Sequence, residues 1–289
     1  MLQLDKLTAI DIHTHADGPC GTQTYEDKRE LSEGMQKYFK RSYEPEPISQ
    51  IAQYYRERKI GLVIFTVDSE HYMGHTRYSN EEVARQAAEN SDIMIPFASI
   101  DPWKGKQGAR EARRLVRDFG VQGFKFHPST QGFYPNDRMA YPLYEAIAES
   151  GKPALFHTGQ TGVGSGMPGG YGIRLKYSNP MYLDDVAVDF PDMKIILAHP
   201  SWPWVDESLS MALHKDNVFI DLSGWSPKYF PKQVIQYANT QLKHKMMFGS
   251  DFPLIHPDKW IAAAQEVGFR EEVMPGILKD NAARVLGLT

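Results

Sequence analysis

The sequence predicts an α/β protein folded as a (β/α)8 barrel, also called a TIM barrel. Eight short apolar runs of strand length recur along the chain, and most are separated by stretches in which apolar residues have helical spacing. Such alternation indicates parallel strands joined by crossover helices. A chain of 289 residues has room for eight such units, so we assign residues 1–289 to one domain. A doubly wound open sheet is the alternative.

The predicted strands are apolar and the segments between them are amphipathic or polar. The strands cover residues 10–15, 60–67, 93–100, 121–128, 153–158, 193–200, 218–222 and 245–251. Helices are predicted at 48–58, 80–90, 108–119, 138–150, 179–190, 207–215, 231–242, 257–267 and 271–286. Two features distort the pattern. The polar segment Ala16 to Pro47 is too long for a turn and is predicted as an inserted functional loop after the first strand. Pro96 is awkward in the third strand because proline donates no amide hydrogen bond.

The composition is ordinary for a globular protein in a reducing compartment. Hydrophobic residues make up 42% of the chain, and the net charge of -4 argues against nucleic acid as a partner. The single cysteine, Cys20, excludes an internal disulfide and is interpreted as a loop thiol. No run reaches the roughly 18 apolar residues of a membrane helix, and the first residues do not resemble a signal peptide. We therefore expect a cytoplasmic protein that binds neither nucleic acid nor membrane.

His13 and His15 follow the first apolar run and are separated by one residue. Side chains alternate along a strand, so both imidazoles point to the same side. Two imidazoles on one rigid wall can form half of a metal site. The alternative interpretation is a strand end with two solvated histidines.

Three more candidate groups stand at the ends of other predicted strands: His157 after the fifth, His199 after the sixth and Asp251 after the eighth. In a barrel, active-site side chains cluster at the carboxyl ends of the strands. We therefore predict a metal site in which the ligands are His13, His15, His157 and Asp251. Imidazoles and a carboxylate suit Zn²⁺, with Mn²⁺ or Fe²⁺ as substitutes.

Two of these residues are also the candidate catalytic groups. A metal lowers the pKa of its bound water from about 15.7 toward roughly 7. Asp251 could accept the proton of that water as a general base. His199 could polarise the water or hold a substrate oxygen.

The predicted substrate contacts are Lys125, His127, Arg174, Trp202 and Trp225. Lys125 and His127 share one face of the fourth predicted strand, where a buried lysine is costly unless it is paired. Arg174 is a candidate contact for an anionic group, and the two tryptophans are candidate apolar walls. A surface position is the alternative for each of the residues in the loops. His71 and His75, in the loop 68–79, are expected to be solvated, and contact with substrate is the alternative.

Seven glycines lie between residues 159 and 172, directly after the fifth predicted strand. Backbone amides in such a loop can converge on an anion, or the loop can act as a lid. The alternative is a flexible connector. The spacing does not match a dinucleotide fingerprint, because the glycines do not open a helix at once.

Five motifs occur in order along most of the chain. They are Asp11-Ile-His13-Thr-His15, Gly123-Phe-Lys-Phe-His127-Pro, Phe156-His157-Thr-Gly, Leu197-Ala-His199-Pro and Phe248-Gly-Ser-Asp251-Phe-Pro. Together they resemble the amidohydrolase superfamily and, within it, the amidohydrolase 2 group, which is similar to aminocarboxymuconate-semialdehyde decarboxylase and related metal-dependent hydrolases. The resemblance implies one divalent metal on the four ligands predicted above, with His199 beside it as a catalyst.

Lys125 raises the question of a second metal. Binuclear members of the superfamily use a carboxylated lysine on the fourth strand to bridge two metals, with the histidine of the sixth strand as a ligand. Lys125 and His199 stand where those residues would be, whereas the decarboxylase-like relatives lack the lysine. We favour one metal per chain, with Lys125 as a cation for a substrate carboxylate or enolate.

The resemblance leaves the reaction open. Segments 131–137, 177–185 and 221–229 resemble metal-dependent hydrolases, some labelled aryl β-ketoacyl-CoA hydrolases of aromatic-acid breakdown. We therefore expect hydrolysis, with activated water attacking a carbonyl of a small carboxylate or aromatic-derived substrate. The alternatives are a non-oxidative decarboxylase of an aromatic or unsaturated acid and a barrel that only binds a metal or a small acid. The expected partner is a small anionic molecule. Trp260 and Phe269 could form a homodimer contact or pack against the barrel.

Overall fold

The computed structural model describes residues 2–16, 29–40 and 45–289. Its centre is an eight-stranded parallel sheet in which each strand pairs with the next along the chain. The strands are β1 (Ala9–His15), β2 (Ile60–Phe65), β3 (Met94–Ala98), β4 (Gly123–Phe126), β5 (Ala154–His157), β6 (Ile195–Ala198), β7 (Val218–Asp221) and β8 (Met246–Met247).

The last strand returns to the first, and the sheet thereby closes into a barrel. The amide of Ile12 donates to the carbonyl of Phe248 at 3.2 Å, and the amide of His15 donates to that of Phe252 at 2.8 Å. Thr14 and Phe252 form a further parallel bridge. Because β8 has only two residues, this seam is less regular than the other pairings. The predicted (β/α)8 barrel is confirmed, including its distortion.

Helices cover the outside of the barrel and parts of its mouth. They are α1 (Arg29–Phe39), α2 (Ile48–Glu57), α3 (Glu70–Met73), α4 (Asn80–Glu89), α5 (Gly105–Phe119), α6 (Pro128–Gln131), α7 (Tyr141–Glu149), α8 (Tyr182–Asp189), α9 (Val205–His214), α10 (Lys232–Ala238), α11 (Pro257–Ala264) and α12 (Asn281–Val285). Among the described residues, no helix is long and apolar enough to cross a bilayer.

The strands are apolar at nearly every position because both faces of the sheet are covered. Leu62, Val63, Ile64 and Phe65 of β2, for example, are all fully buried. Gly123 opens β4 because a Cβ there would lie only 2.2 Å from the ring of Phe97 on β3. The apolar runs that predicted the strands are therefore the core of the barrel.

The segment Ala16 to Pro47 differs from its prediction as a loop, because it contains the helix α1. Leu31, Met35 and Phe39 recur at four-residue spacing on this helix and line the mouth of the barrel. The signal is short and stands among charged residues, which concealed it. Residues 17–28, which include Cys20, and residues 41–44 lie outside the described residues.

The C-terminal region also differs from its prediction as one helix. A 3₁₀ turn at Glu271–Val273 and a π-helical turn at Gly276–Asp280 precede α12. The carbonyl of Ile277 in the π-helical turn accepts a hydrogen bond from the amide of Phe248 at 2.7 Å. The irregular turn therefore pairs with the backbone directly after the short strand β8.

Two residues considered for a dimer contact pack inward. Trp260 on α11 is fully buried, and its indole nitrogen donates to the carbonyl of Leu222 at 3.0 Å. Phe269 packs against the hydrophobic core. Pro96 lies within β3 opposite Ile64, and its carbonyl accepts a hydrogen bond from the amide of Gln122.

Candidate active site

His13 and His15 lie side by side at the carboxyl end of β1. Their ring centroids are 5.3 Å apart, and both rings pack edge-on against Phe65 of β2, at 5.1 and 4.9 Å. His13 is buried, whereas His15 is partly exposed to the mouth of the barrel. The alternation of a strand therefore places the two imidazoles on one side, as the sequence predicts.

Asp251 closes this group from the segment after β8. Its Oδ1 atom lies 3.2 Å from Nε2 of His13 and 3.0 Å from Nε2 of His15. Its amide donates to the carbonyl of His13 at 2.9 Å, which ties the backbone of the two segments together. One ligand atom from each of the three residues lies within 4.8 Å of the others, so the group could hold a metal ion.

The residues present fit a divalent metal. Two imidazole nitrogens and one carboxylate oxygen are the donor types that Zn²⁺, Mn²⁺ and Fe²⁺ share. Nε2 of the neighbouring His157 is buried and has no hydrogen-bond partner among the described residues. Buried nitrogen atoms without a partner are uncommon, and a missing ligand is one explanation.

The structure brings three of the four predicted ligands into one group and leaves His157 beside it. His199 lies between them, with its ring centroid 4.9 Å from that of His13 and 4.7 Å from that of His157. Nδ1 of His157 is 3.0 Å from Nε2 of His199. The ligand role of His157 and the catalytic roles of His199 and Asp251 therefore remain predictions.

His199 and Asp251 have the same unusual backbone conformation. Their φ angles are 71° and 65°, in the left-handed region that residues other than glycine seldom occupy. Such strain persists where the surrounding structure determines the conformation, and it often accompanies function. In this barrel it turns both side chains toward the same mouth.

Asp11 supports the group from below. It is fully buried and accepts hydrogen bonds from the amide of Ser250 at 2.9 Å and from the hydroxyl of Tyr55 at 2.8 Å. Burial raises the pKa of Asp11 to about 6, although these donors oppose the shift. Asp11 therefore joins β1, which carries the two histidines, to the segment that carries Asp251.

Lys125 extends from β4 to the same point. Its side chain is fully buried, with Nζ 3.1 Å from Nε2 of His13 and 4.9 Å from the ring centre of Phe65. Burial lowers the pKa of Lys125 to about 8, and the carboxylates of Asp251 and Asp221 partly oppose the shift. Lys125 therefore lies next to the group formed by His13, His15 and Asp251, which could hold a metal.

His127 also faces this region, and its ring stacks on that of His157. The ring centroids are 3.9 Å apart and the planes differ by 5°. Nδ1 of His127 accepts a hydrogen bond from the amide of Thr130 at 3.4 Å, and Nε2 lies 3.3 Å from Oγ1 of Thr161. His127 therefore joins β4 to the glycine-rich loop and braces His157.

Burial makes three of the imidazoles hard to protonate. It lowers the pKa of His199 to about 4 and holds the pKa of His127 and of His157 well below the ordinary value. These rings are therefore neutral near pH 7, which is the form that can bind a metal or accept a proton.

His13 and Asp251 behave differently. Burial and the nearby Lys125 act to lower the pKa of His13, but the carboxylates of Asp221 and Asp251 outweigh them and raise it. Burial acts to raise the pKa of Asp251, but His13 and His15 hold it well below its ordinary range. The site therefore favours an ionised carboxylate at its centre.

A cavity of about 1050 Å³ opens above these groups. Trp202 and Trp225 line it, with ring centroids 6.3 Å apart, and Lys125 and His127 lie at its base. Arg174 is not among the lining residues, because its guanidinium is exposed and donates to the hydroxyl of Tyr72. The cavity thus contains four of the five predicted substrate contacts.

Loops and α1 form the rest of the wall. His75, predicted to be solvated, lines the cavity and stacks on Tyr171 at 6.1 Å, whereas His71 packs on Trp103 outside it. The glycine-rich loop approaches α1 so closely that a Cβ at Gly162 would lie 2.4 Å from the ring of Phe39. The loop is therefore packed against α1 over the cavity.

Sequence reasoning missed two residues at the end of β7. Oδ2 of Asp221 lies 2.5 Å from Nδ1 of His13. Oγ of Ser223 lies 3.0 Å from Nδ1 of His13 and 3.0 Å from Nδ1 of His199. Asp221 ends an apolar strand, which is the same signal that identified Asp251, so it could have been found.

Histidines and a carboxylate that meet at the mouth of a parallel barrel are an arrangement that metal-dependent barrel enzymes share. The sequence model of the amidohydrolase family matches residues 10–288, and the chain belongs to this family. It is therefore an enzyme of the amidohydrolase superfamily, as the five motifs indicated.

Two curated relatives match parts of the chain. Protein fluG of Emericella nidulans is 29% identical over 121 residues, which are 39% of this chain and 13% of fluG. The 2-amino-3-carboxymuconate-6-semialdehyde decarboxylase of Dictyostelium discoideum is 21% identical over 243 residues, which are 73% of this chain and 66% of the decarboxylase. The chain thus spans less than two thirds of the length of either relative.

Solved structures share the whole fold. A TIM-barrel protein from Bordetella bronchiseptica is 23% identical with a TM-score of 0.77, covering 96% of this chain and 98% of its own. A 5-carboxyvanillate decarboxylase from Novosphingobium aromaticivorans, complexed with manganese and 4-hydroxy-3-methoxy-5-nitrobenzoic acid, is 14% identical with a TM-score of 0.65, covering 97% and 96%. A 2,6-dihydroxybenzoate decarboxylase from Rhizobium is 13% identical with a TM-score of 0.67, covering 98% and 99%. At these identities the likeness establishes the shared fold.

Proposed function

We propose that this protein is a divalent-metal-dependent decarboxylase of an aromatic or unsaturated carboxylic acid. The observation that carries the proposal is the position of Lys125, fully buried at the base of the cavity and 3.1 Å from His13 of the metal group. A cation fixed there faces the negative charge that develops when a carboxylate leaves as CO₂. The proposal replaces the hydrolysis expected from the sequence. The decarboxylases among the relatives and solved structures support it.

The walls of the cavity suit a flat, conjugated substrate. Trp202 and Trp225 provide aromatic faces, and Met35 and Phe39 of α1 provide apolar surface opposite the polar base. Lining of this kind, with a few converging polar groups, is typical of small-molecule sites. The proposed partner is a small carboxylate whose conjugated part lies among these side chains and whose oxygens face Lys125.

The proposed cofactor is one divalent metal per chain, Zn²⁺ with Mn²⁺ or Fe²⁺ as substitutes. His13, His15 and Asp251 would hold it, joined by Nε2 of His157, which is buried without a hydrogen-bond partner in the described part of the chain. A bound metal would act as a Lewis acid toward substrate oxygens. The carboxylate of Asp251 and the ammonium group of Lys125 both contact the imidazole of His13. A substrate at the metal would therefore lie beside Asp251, Lys125 and His13.

Lys125 and His199 have separate roles in the proposed reaction. The bond between the conjugated carbon and the carboxyl carbon breaks, CO₂ leaves, and the electron pair stays on the conjugated system. The ammonium group of Lys125 stabilises that charge, and a proton must then reach the carbon. His199 is neutral because burial lowers its pKa to about 4, so it can relay this proton from water without remaining protonated.

Hydrolysis is the second candidate, and His199 is the observation that favours it. A neutral imidazole in the site, 3.0 Å from His157, can also accept a proton from an attacking water. A substrate with an activated carbonyl, such as an aryl β-ketoacyl thioester, would then be cleaved. The two reactions differ in whether an oxygen from water enters the product.

The test measures CO₂ release and ¹⁸O incorporation over a panel of hydroxylated benzoates, unsaturated acids and β-keto thioesters. The full chain is supplemented in turn with Zn²⁺ and with Mn²⁺. We expect CO₂ release from at least one acid with no ¹⁸O in the product, and loss of that activity in Lys125→Met. Thioester cleavage with ¹⁸O in the released acid and no CO₂ would refute the proposal in favour of hydrolysis. Stoichiometric metal without turnover on any substrate would favour a binding protein.

We also propose a cytoplasmic location and no partner among nucleic acids or membranes. The single cysteine supports the location. The net charge of -4 argues against a nucleic-acid partner. A homodimer, if one forms, would use a surface other than Trp260, which is buried in the barrel. Light scattering of the purified chain measures the oligomeric state.

A further inference from the structure

Asp221 and Ser223 form a small hydrogen-bond cluster below the imidazoles. Oδ1 of Asp221 accepts from the amide of Ser223 at 2.8 Å, so the turn after β7 fixes the carboxylate. Oδ2 of Asp221 lies 2.5 Å from Nδ1 of His13 and 2.9 Å from Oγ of Ser223. Oγ of Ser223 in turn lies 3.0 Å from Nδ1 of His199. Both Asp221 and Ser223 are fully buried, so bulk solvent does not compete for these hydrogen bonds.

The cluster determines where each proton lies. An ionised carboxylate only accepts hydrogen bonds, so Oδ2 of Asp221 accepts one from Nδ1–H of His13 and one from the hydroxyl of Ser223. A serine hydroxyl has one proton to donate. Since Ser223 donates it to Asp221, its oxygen can only accept from His199. The proton of the neutral His199 ring therefore lies on Nδ1.

The tautomer of His199 in turn fixes the tautomer of His157. A neutral imidazole with its proton on Nδ1 has a bare Nε2. Nε2 of His199 must therefore accept from Nδ1 of His157, 3.0 Å away. That places the proton of His157 on Nδ1 and leaves its Nε2 bare. Nε2 of His157 is the nitrogen that has no hydrogen-bond partner among the described residues, so the two observations agree.

We propose that Ser223 is a positioning residue that sets the tautomers of His199 and His157 through a directed chain of hydrogen bonds. The chain runs from His157 to His199, from His199 to Ser223, and from Ser223 to Asp221. It leaves Nε2 of both imidazoles unprotonated. Nε2 of His157 is available to a metal, whereas Nε2 of His199 takes up a proton only when its hydrogen bond from His157 opens. Ser223 itself contacts neither the metal nor the reacting atoms. The inference goes beyond the proposed function, because it is the same for decarboxylation and for hydrolysis.

Gly224 supports this assignment by its geometry. Its φ angle is +74°, and a Cβ at this position would lie 2.4 Å from Nδ1 of His199. The backbone thus passes directly beside the nitrogen that donates to Ser223. A larger residue would displace the ring from the hydroxyl, so the turn is shaped to admit this contact.

The first test reads the tautomers directly in the wild-type protein. Full-length chain labelled with ¹⁵N-histidine is saturated with diamagnetic Zn²⁺, and the ring nitrogens are observed by long-range ¹H–¹⁵N correlation at pH 7. His199→Asn and His157→Asn assign the signals. We expect both rings to be protonated at Nδ1 only. A proton on Nε2 of His199 or of His157 overturns the proposal, whatever any variant does.

The second test removes the hydroxyl. In Ser223→Ala we expect His199 to lose its single tautomer and zinc affinity to fall by about 10- to 100-fold, the usual effect of removing a partner that orients metal ligands. Ser223→Thr, which keeps a hydroxyl, should restore the wild-type spectrum. The control is Ser150→Ala, directly after α7, which removes a partly buried hydroxyl that donates to the carbonyl of Ile147. Unchanged signals of His199 and His157 in Ser223→Ala would refute the role of Ser223.

Asp221→Asn tests the same chain of hydrogen bonds independently. An amide in place of a carboxylate next to an imidazole can keep the geometry and reverse the tautomer. The amide would donate to Nδ1 of His13 and move that ring's proton to Nε2, where it competes with a metal. We expect a proton on Nε2 of His13 in the metal-free variant and weaker zinc binding. Wild-type affinity and an unchanged His13 spectrum would show that Asp221 does not anchor the chain.

Discussion

The imidazole rings of His127 and His157 lie face to face, with centroids 3.9 Å apart and planes within 5° of parallel. Thr130 and Thr161 hold His127 in place from two sides. Because burial keeps both pKa values well below the ordinary value, the two rings stack as neutral groups without charge repulsion. His127 therefore acts as a wall that fixes the plane in which His157 presents its Nε2 atom.

The stacking predicts that metal affinity depends on an aromatic ring at position 127 and not on the nitrogen atoms of that ring. In His127→Ala we expect metal affinity to fall by about 10-fold, because the ring of His157 loses its support. His127→Phe should stay near the wild-type affinity, since it keeps an aromatic face. Competition with a chromophoric chelator measures both. Equal weakening in the two variants would show that the hydrogen bonds of His127, rather than its stacking, position His157.

Lys125 should be required for turnover but not for metal binding. We expect Lys125→Met to lower kcat by about 100- to 1000-fold, the usual loss when one group that stabilises developing charge is removed. Elemental analysis should give one metal per chain in both proteins. The control is Lys259→Met, which removes an exposed lysine at the rim of the same cavity. Two metals in the wild type and one in Lys125→Met, with the mass of one CO₂ on the wild-type chain, would establish a bridging carboxylated lysine instead.

Substitution of Gly224 can distinguish the effect of backbone strain from the effect of a steric clash with His199. In Gly224→Ala the new Cβ would lie 2.4 Å from Nδ1 of His199, and φ is +74°. Gly151→Ala is the matched control, because φ is +66° there and nothing lies within 4 Å. Both variants should lose about 1–2 kcal/mol of stability from the left-handed backbone. Only Gly224→Ala should also lose activity and the single tautomer of His199. If activity falls equally in both, the contact with His199 is not the cause.

Asp101 should make stability depend on pH. Burial raises its pKa from 3.8 to about 6, and the nearby carboxylate of Asp68 adds to the shift, whereas the amide of Trp103 opposes it. The folded state therefore keeps a proton that the unfolded state has lost, so Asp101 costs stability as pH rises from about 4 through 6. Asp101→Asn should be more stable than the wild type at pH 7, by roughly 1–3 kcal/mol.

The two proteins should converge at pH values well below 3.8, where the carboxyl group is protonated in both states. Urea unfolding at a series of pH values measures the difference. Asp5→Asn, at an exposed position, is the control and should follow the wild type. A constant gap between Asp101→Asn and the wild type from pH 4 to 8 would contradict the raised pKa.

The sequence alone determined the barrel and the positions of the main site residues. The strands are buried on both faces, so their apolar runs are easy to read, and parallel strands place their ends at one mouth. His13, His15, His199 and Asp251 each end such a run, and that position predicts the site without knowledge of any contact. The helix α1 was missed because its apolar residues are few and stand among charges.

Contacts between strands that are distant in the chain could be decided only by the tertiary structure. The three-donor group forms because the segment after β8 returns to β1, and no local pattern measures the distance between Asp251 and His15. Arg174 was predicted to contact substrate, but the path of its loop directs it to Tyr72. The proton arrangement likewise requires Asp221 and Ser223 to meet His13 and His199, which are carried by other strands. Hydrogen bonds depend on distance and direction between atoms, and a sequence fixes these only after the chain has closed.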